Sequence, residues 1–294
     1  MNKHNSSIPK WQDWLSTHQF FKPLEKPLEI YVFIDPTCSI CFELESIIKR
    51  LKLEYEHYFS LKYVFSKNPE EAYSNSSSPY QNLSSLSFTN RMGIACDENI
   101  WIHNPESSSY ITPIAIKAAE MQGKKAGYRF FKKVQEALFL DQECVTNKNT
   151  LLKCARKADI DCEEFLRDVQ SDSAIKAFQC DLKISYEMGV TDLPTLVFFN
   201  QKMEDEGIKV SGTYPYEIYV QILEEMLGFP PKAQSLPPLE DCIKDFQVIH
   251  TQEITFIYQM DEHEVEREMK KLQLKRMVER VLASDRTYWR YAEN

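Results

Sequence analysis

The stretch EIYVFIDPTCSICFELES, Glu29–Ser46, decides how the rest of the chain is read. Its first half is rich in β-branched and aromatic residues. Extended back to Leu28, it predicts a strand over Leu28–Asp35 that is buried on both faces. Its second half predicts a helix with Leu44, Ile47, Ile48 and Leu51 on one stripe. Cys38 and Cys41 fall where the strand hands over to the helix. A thiol at a helix N-terminus meets unpaired N–H groups and the positive end of the dipole, and both favour the thiolate. Cys38 is therefore the candidate nucleophile. Cys41, one turn on, is the candidate resolving thiol that closes a disulfide. Other neighbours argue against turnover. Ser39-Ile40 places no cation between the thiols, and Asp35 opposes the thiolate if its carboxylate turns inward. Glu43 and Glu45 are expected to be surface groups that complement the helix dipole.

Downstream, Phe59–Ser66 predicts a second strand, so that strand, helix and strand form a βαβ unit with a parallel pair. Residues 73–90 are rich in Ser and Asn and read as a loop. From Pro113 to Gly189 the period becomes helical, with Ile116, Ala119, Ala126, Phe130, Phe131, Val134 and Leu138 on one stripe and Thr150 and Asp161 as expected caps. Strands return at Thr195–Asn200 and Ile208–Tyr214, and a helix follows. The segment 229–240 then carries four of the 14 prolines and reads as a linker. Beyond it a strand is expected at Ile254–Tyr258, pairing either within its own sheet or with a partner's backbone. A long helix from about Asp261 follows, acidic at its start and basic at Lys275, Arg276 and Arg280. Trp289 and the Tyr288–Tyr291 neighbourhood are read either as an interface anchor or, the commoner arrangement, as closing that helix onto its own core.

The bulk numbers narrow the function. The 294 residues carry a formal net charge of −9, which disfavours nucleic-acid and anionic membrane partners. No run reaches the roughly 18 apolar residues of a membrane span, and the opening residues lack a signal-peptide core, so a cytoplasmic protein is expected. Seven glycines leave little material for a phosphate-binding loop. Of eight cysteines only Cys38 and Cys41 are close in sequence. Cys96, Cys144, Cys154, Cys162, Cys180 and Cys242 are expected to be reduced thiols acting as small hydrophobes. His57 and His103 lack ligand spacing, so no metal and no cofactor are expected.

Two motifs in order, around a helical block, carry a resemblance to the DsbA family. One is Cys38-Ser39-Ile40-Cys41. The other is Val190-Thr191-Asp192-Leu193-Pro194-Thr195, which is similar to that family's cis-proline loop, although the local sequence also fits a trans proline opening an edge strand. The block adds Ala115–Gly123, with an A..AA..QG pattern. The resemblance, over roughly Leu28–Gly228, implies an α/β thioredoxin fold with an inserted helical domain, and the residues past the linker read as a small C-terminal α+β extension. The implied layout is an N-terminal segment 1–27 with a short amphipathic helix at Trp11, Trp14 and Leu15; a DsbA-like domain 28–228 with its insertion at about 105–189; a linker 229–240; and an extension 241–294.

A DsbA-like chain without a signal peptide and with an extension past the fold resembles the SpxH family, also called YjbH, of ClpXP adaptors. That resemblance implies binding of the redox regulator Spx and its presentation to ClpX and ClpP. Some members carry a zinc-associated His- and Cys-rich N-terminal region. Here only His4 and His18 precede Cys38, so no zinc is carried over. The alternative is a cytosolic thiol–disulfide oxidoreductase using Cys38 and Cys41. A third reading, a glutathione-linked isomerase on the same fold, usually has Ser at the position of the first cysteine, and Cys38 argues against it.

Overall fold

The computed structural model describes residues 26–66, 110–200, 207–283 and 286–292. The amphipathic segment at Trp11–Leu15, His4, His18, the loop 73–90, Cys96 and His103 lie outside them. The decisive stretch forms β1 (Leu28–Ile34) and α1 (Ser39–Tyr55), followed by β2 (Phe59–Phe65). β1 and β2 run parallel, from Leu28 opposite Phe59 to Ile34 opposite Phe65. α1 turns Cys41, Leu44, Ile48 and Leu51 into the core, at the helical spacing expected of an apolar stripe.

Among the described residues the next elements are five helices: α2 (Ile111–Met121), α3 (Lys124–Phe139), α4 (Lys148–Lys157), α5 (Cys162–Val169) and α6 (Asp172–Glu187). Phe130, Phe131, Phe165 and Phe178 are buried among them. Asp161 caps α5, its carboxylate accepting the N–H of Glu163 and of Glu164. α4 is capped by Asn147, and Thr150 lies inside the helix. The block is tied to the sheet by a buried charge. Asp181 accepts the Phe65 backbone N–H at 2.9 Å and pairs with Lys117 at 2.7 Å. Desolvation raises the Asp181 carboxyl, and Lys117 opposes the rise.

The chain then re-enters the sheet with β3 (Thr195–Asn200) and β4 (Ile208–Ser211), giving the order β2-β1-β3-β4 with β3 antiparallel to both neighbours. α7 (Tyr216–Leu227) follows and ends at Gly228, whose left-handed φ of 76° suits a residue without a Cβ.

The last part of the chain contains α8 (Leu239–Phe246), β5 (Val248–His250), α9 (Thr251–Tyr258), α10 (Glu262–Leu274), β6 (Val278–Ala283) and β7 (Arg286–Tyr291). Its sheet has the order β5-β7-β6, all antiparallel.

Besides the Thr150 cap, which Asn147 replaces, two expectations differ from the structure. Ile254–Tyr258 is helix, not strand. His250 and Glu253 form a capping box: His250 Nδ1 accepts the Glu253 N–H, and the Glu253 carboxylate accepts the His250 N–H. That box starts a helix which buries Ile254 and Ile257 on one face. Capping and packing outweigh the β-propensity of the segment. The expected long C-terminal helix is also shorter, ending at Leu274. Arg276 then takes a left-handed φ of 59° and a hairpin follows. Trp289 therefore sits in β7, fully buried, its indole N–H donating to Thr251 Oγ1 at 3.0 Å.

Candidate functional site

β1 delivers its last residues to a tight turn before α1. Asp35 is buried, and its Oδ1 accepts the Thr37 N–H at 2.8 Å and the Thr37 hydroxyl at 2.6 Å. The Asp35 carbonyl accepts the Cys38 N–H at 3.1 Å. The turn sets Cys38 as the N-cap of α1 in an extended conformation, half-buried, with Cys41 1% exposed beneath it.

The two thiols are pushed apart in acidity. Cys38 is lowered, first by the hydrogen bond from Cys41 and then by the N–H groups of Cys41 and Ile40 at the open end of the helix, against burial and Asp35. Cys41 is raised well above its ordinary value by burial and by the neighbouring Cys38. This is a nucleophile and a protonated partner one turn apart, chemistry suited to forming and resolving a mixed disulfide. Alkylation of the reduced protein is expected to mark Cys38 well before Cys41. Its rate should rise with pH at lower values than for an ordinary thiol. Mass spectrometry of the peptide containing both cysteines, across a pH series, checks both points.

The sheet brings a second element to this end of the molecule. Phe33 in β1 lies opposite Thr195 in β3, so Pro194 and the residues that follow Ile34 share one edge. The Leu193–Pro194 bond is cis. The Pro194 carbonyl accepts the Gly212 N–H at 2.7 Å, and the Thr195 hydroxyl donates to the Asp192 carbonyl at 2.7 Å. Ile40, between the cysteines, is 51% exposed.

The remaining described cysteines differ from expectation at two positions: Cys144, and Cys180, which is exposed rather than buried or half-buried. Cys154 and Cys242 are free and buried, and Cys162 and Cys180 are free. Cys144 is disulfide-bonded, a correction to its reading as a reduced hydrophobe. Spacing could not reveal this, because no second cysteine stands close to it in sequence. Among the described residues no three His, Cys, Asp or Glu side chains are grouped to hold a metal ion.

The opposite side of α1 carries contacts that no local pattern announces. Glu45 is buried, not a surface group, pairing with Lys132 of α3 and accepting from Tyr63. Glu43 is exposed and pairs with Arg286 of β7 at 3.1 Å. Lys49 donates to the buried Glu253 carboxylate at 3.0 Å and to the Val248 carbonyl at 3.2 Å. Arg50 donates to the Phe256 carbonyl and stacks over the Tyr216 ring, 4.1 Å from its centroid. The helix that presents the thiols at one end thus holds the C-terminal extension along its length.

The family described as Thioredoxin matches residues 31–221. The ClpXP adapter protein SpxH of Bacillus subtilis is 42% identical over 268 residues, covering 90% of each chain. The ClpXP adapter protein SpxH of Bacillus licheniformis is 44% identical over 269 residues, covering 91% of this chain and 89% of its own. Among solved structures, a probable DsbA oxidoreductase from Streptomyces coelicolor is similar at 12% identity and a TM-score of 0.48, covering 72% of this chain and 94% of that one. The two adapters align well past residue 221, so the similarity takes in the extension as well as the thioredoxin part. The chain belongs to the family of SpxH ClpXP adapter proteins, built on a thioredoxin fold with a helical insertion.

Proposed function

We propose that this chain captures an Spx-type redox regulator and brings it to the ClpXP protease in the cytoplasm, with no chemical step of its own. The observation that carries the proposal is the adapters' alignment over nine-tenths of both chains, extension included, at above 40% identity. Adapter work needs a fixed surface more than a reactive group. The extension supplies one, because the buried Lys49–Glu253 pair and Arg50, which donates to the Phe256 carbonyl and stands 5.0 Å from the centre of the Phe256 ring, hold it against α1. The regulator is expected to form a 1:1 complex, and adding this chain to ClpX and ClpP is expected to speed the regulator's degradation. Calorimetry or co-elution of the purified pair measures the first, and a reconstituted degradation assay the second. A complex of ordinary interface size binds more tightly than tens of micromolar, so no heat and no co-elution at that concentration would exclude the reading.

The second reading, thiol–disulfide exchange, is favoured by the divergent acidity of Cys38 and Cys41 at the helix start.

A further inference from the structure

Between α1, α3 and the start of the extension lies a cleft of about 760 Å³, within the roughly 300–1,000 Å³ typical of small-molecule sites. Its apolar lining includes the rings of Phe42, Tyr128 and Phe246. Its polar wall carries bases and acids in nearly equal number, and nearly all of that charge is already committed. Lys49 is held by Glu253 and by the Val248 carbonyl. Lys132 is held by Glu45 and the Gln135 side-chain carbonyl, and Lys133 by both oxygens of Glu136. Arg129 donates to the Ala158 carbonyl, and Lys157 pairs with Asp141. The carboxylates of the cleft are matched in the same way: Glu45, Glu136 and Glu253 by these lysines, and Glu56 by Lys26. Asp245 is exposed at the rim.

Lys52 is different. Among the described residues its ammonium makes no ion pair or hydrogen bond, and it stands 5.6 Å from the centre of the Tyr128 ring and 5.9 Å from that of Phe246. A cation between two aromatic faces, in a cleft whose other charges are matched apart from Asp245 at the rim, has all three N–H donors open to an incoming group. The rings beside it offer flat apolar surface to whatever that group is attached to.

We propose that this cleft binds a small organic anion carrying an aromatic ring, with its carboxylate, sulfonate or phosphate on Lys52 and its ring against Phe246 and Tyr128. Tyr128 belongs to the helical insertion and Phe246 to the extension. A bound ligand therefore bridges the two and raises the melting temperature, by an amount that grows with the logarithm of ligand concentration once this exceeds Kd.

The probe for the test is anilinonaphthalene sulfonate, an aromatic anion, titrated by fluorescence into the full-length folded chain. One saturable site per chain is expected. Lys52→Met keeps the aliphatic stem over the rings and removes only the charge, and it should weaken binding by about tenfold or more, the loss of one charge-assisted contact. Lys52→Arg should retain binding. On the unmodified chain, phenyl-naphthylamine, which has the rings without the sulfonate, should bind weakly by a similar factor, a comparison that does not depend on any variant folding. Inorganic phosphate alone should not compete at millimolar concentration, because it lacks the ring. The proposal is overturned if no saturable binding occurs, if Lys52→Met binds as the unmodified chain does, if the neutral probe binds as tightly as the anion, or if phosphate alone displaces the probe.

Discussion

Replacing both thiols, Cys38→Ser with Cys41→Ser, is expected to abolish disulfide exchange with insulin while leaving ClpXP-dependent degradation of the Spx-type regulator within severalfold of the unmodified protein. The first half follows from chemistry. Exchange proceeds through a thiolate, and Cys38 is the group whose thiolate the open end of α1 favours. The second half follows from the adapter reading, in which binding is done by surface and the two sulfurs are only small groups at a helix start. Cys41 is 1% exposed, so a hydroxyl there should cost about 1–2 kcal/mol of stability, too little to unfold a domain of ordinary stability. The measurement is a reconstituted degradation assay run beside an insulin-reduction assay, with circular dichroism and a melting curve on the variant. If degradation collapses while the fold is intact, the thiols carry the function and the adapter reading must acquire a redox step.

The largest effect on stability is expected from Lys49→Met. Lys49 and Glu253 are both nearly buried, and the substitution leaves the Glu253 carboxylate without its cation. Removing one partner of a buried pair costs roughly 3–5 kcal/mol, because the remaining charge is stranded in a poor solvent. The loss should fall first on the extension, which that carboxylate also serves by capping α9. Hydrogen exchange in residues 248–258 of the variant is the direct measurement. Exchange rates there equal to those of the unmodified chain would show that the pair does not hold the extension in place.

The same cluster predicts how stability depends on pH. Burial lowers His250, with Lys49 and Arg286 adding to the effect and Glu253 opposing it. Burial alone would raise Glu253, but Lys49 and His250 outweigh it, and the carboxyl lies below its ordinary value. Both folded-state values are depressed, so in each case the unfolded chain binds the proton more readily. The stability contributed by His250 is complete above its unfolded value and drains as pH falls through mildly acidic values. That of Glu253 survives to lower pH and is lost as pH drops below the ordinary carboxylate range. Melting temperature should therefore fall in two stages on acidification, and Glu253→Gln should remove the second.

What the sequence determined by itself was the part governed by short-range pattern. The parallel β1–α1–β2 unit, the helical block and the return through β3 and β4 follow from runs of β-branched residues, helical stripes and turn residues, each within about twenty positions. The cap at Asp161 and the acidic start of α10 were visible for the same reason: a cap and its helix are neighbours in sequence. Packing decided the rest. Ile254–Tyr258 has a composition that suits a strand, and it is a helix because His250 and Glu253 cap it and the core accepts Ile254 and Ile257 on one face. Glu45 looks like a surface acid and is buried because Lys132, in a helix folded back over α1, meets it. The clamp between Lys49 and Glu253 joins residues 204 positions apart, and the uncommitted charge of Lys52 is defined only by what its neighbours across the cleft already hold. Periodicity reports which face of an element turns inward. It does not report which distant element that face will meet, and the energy of a buried charge depends entirely on that meeting.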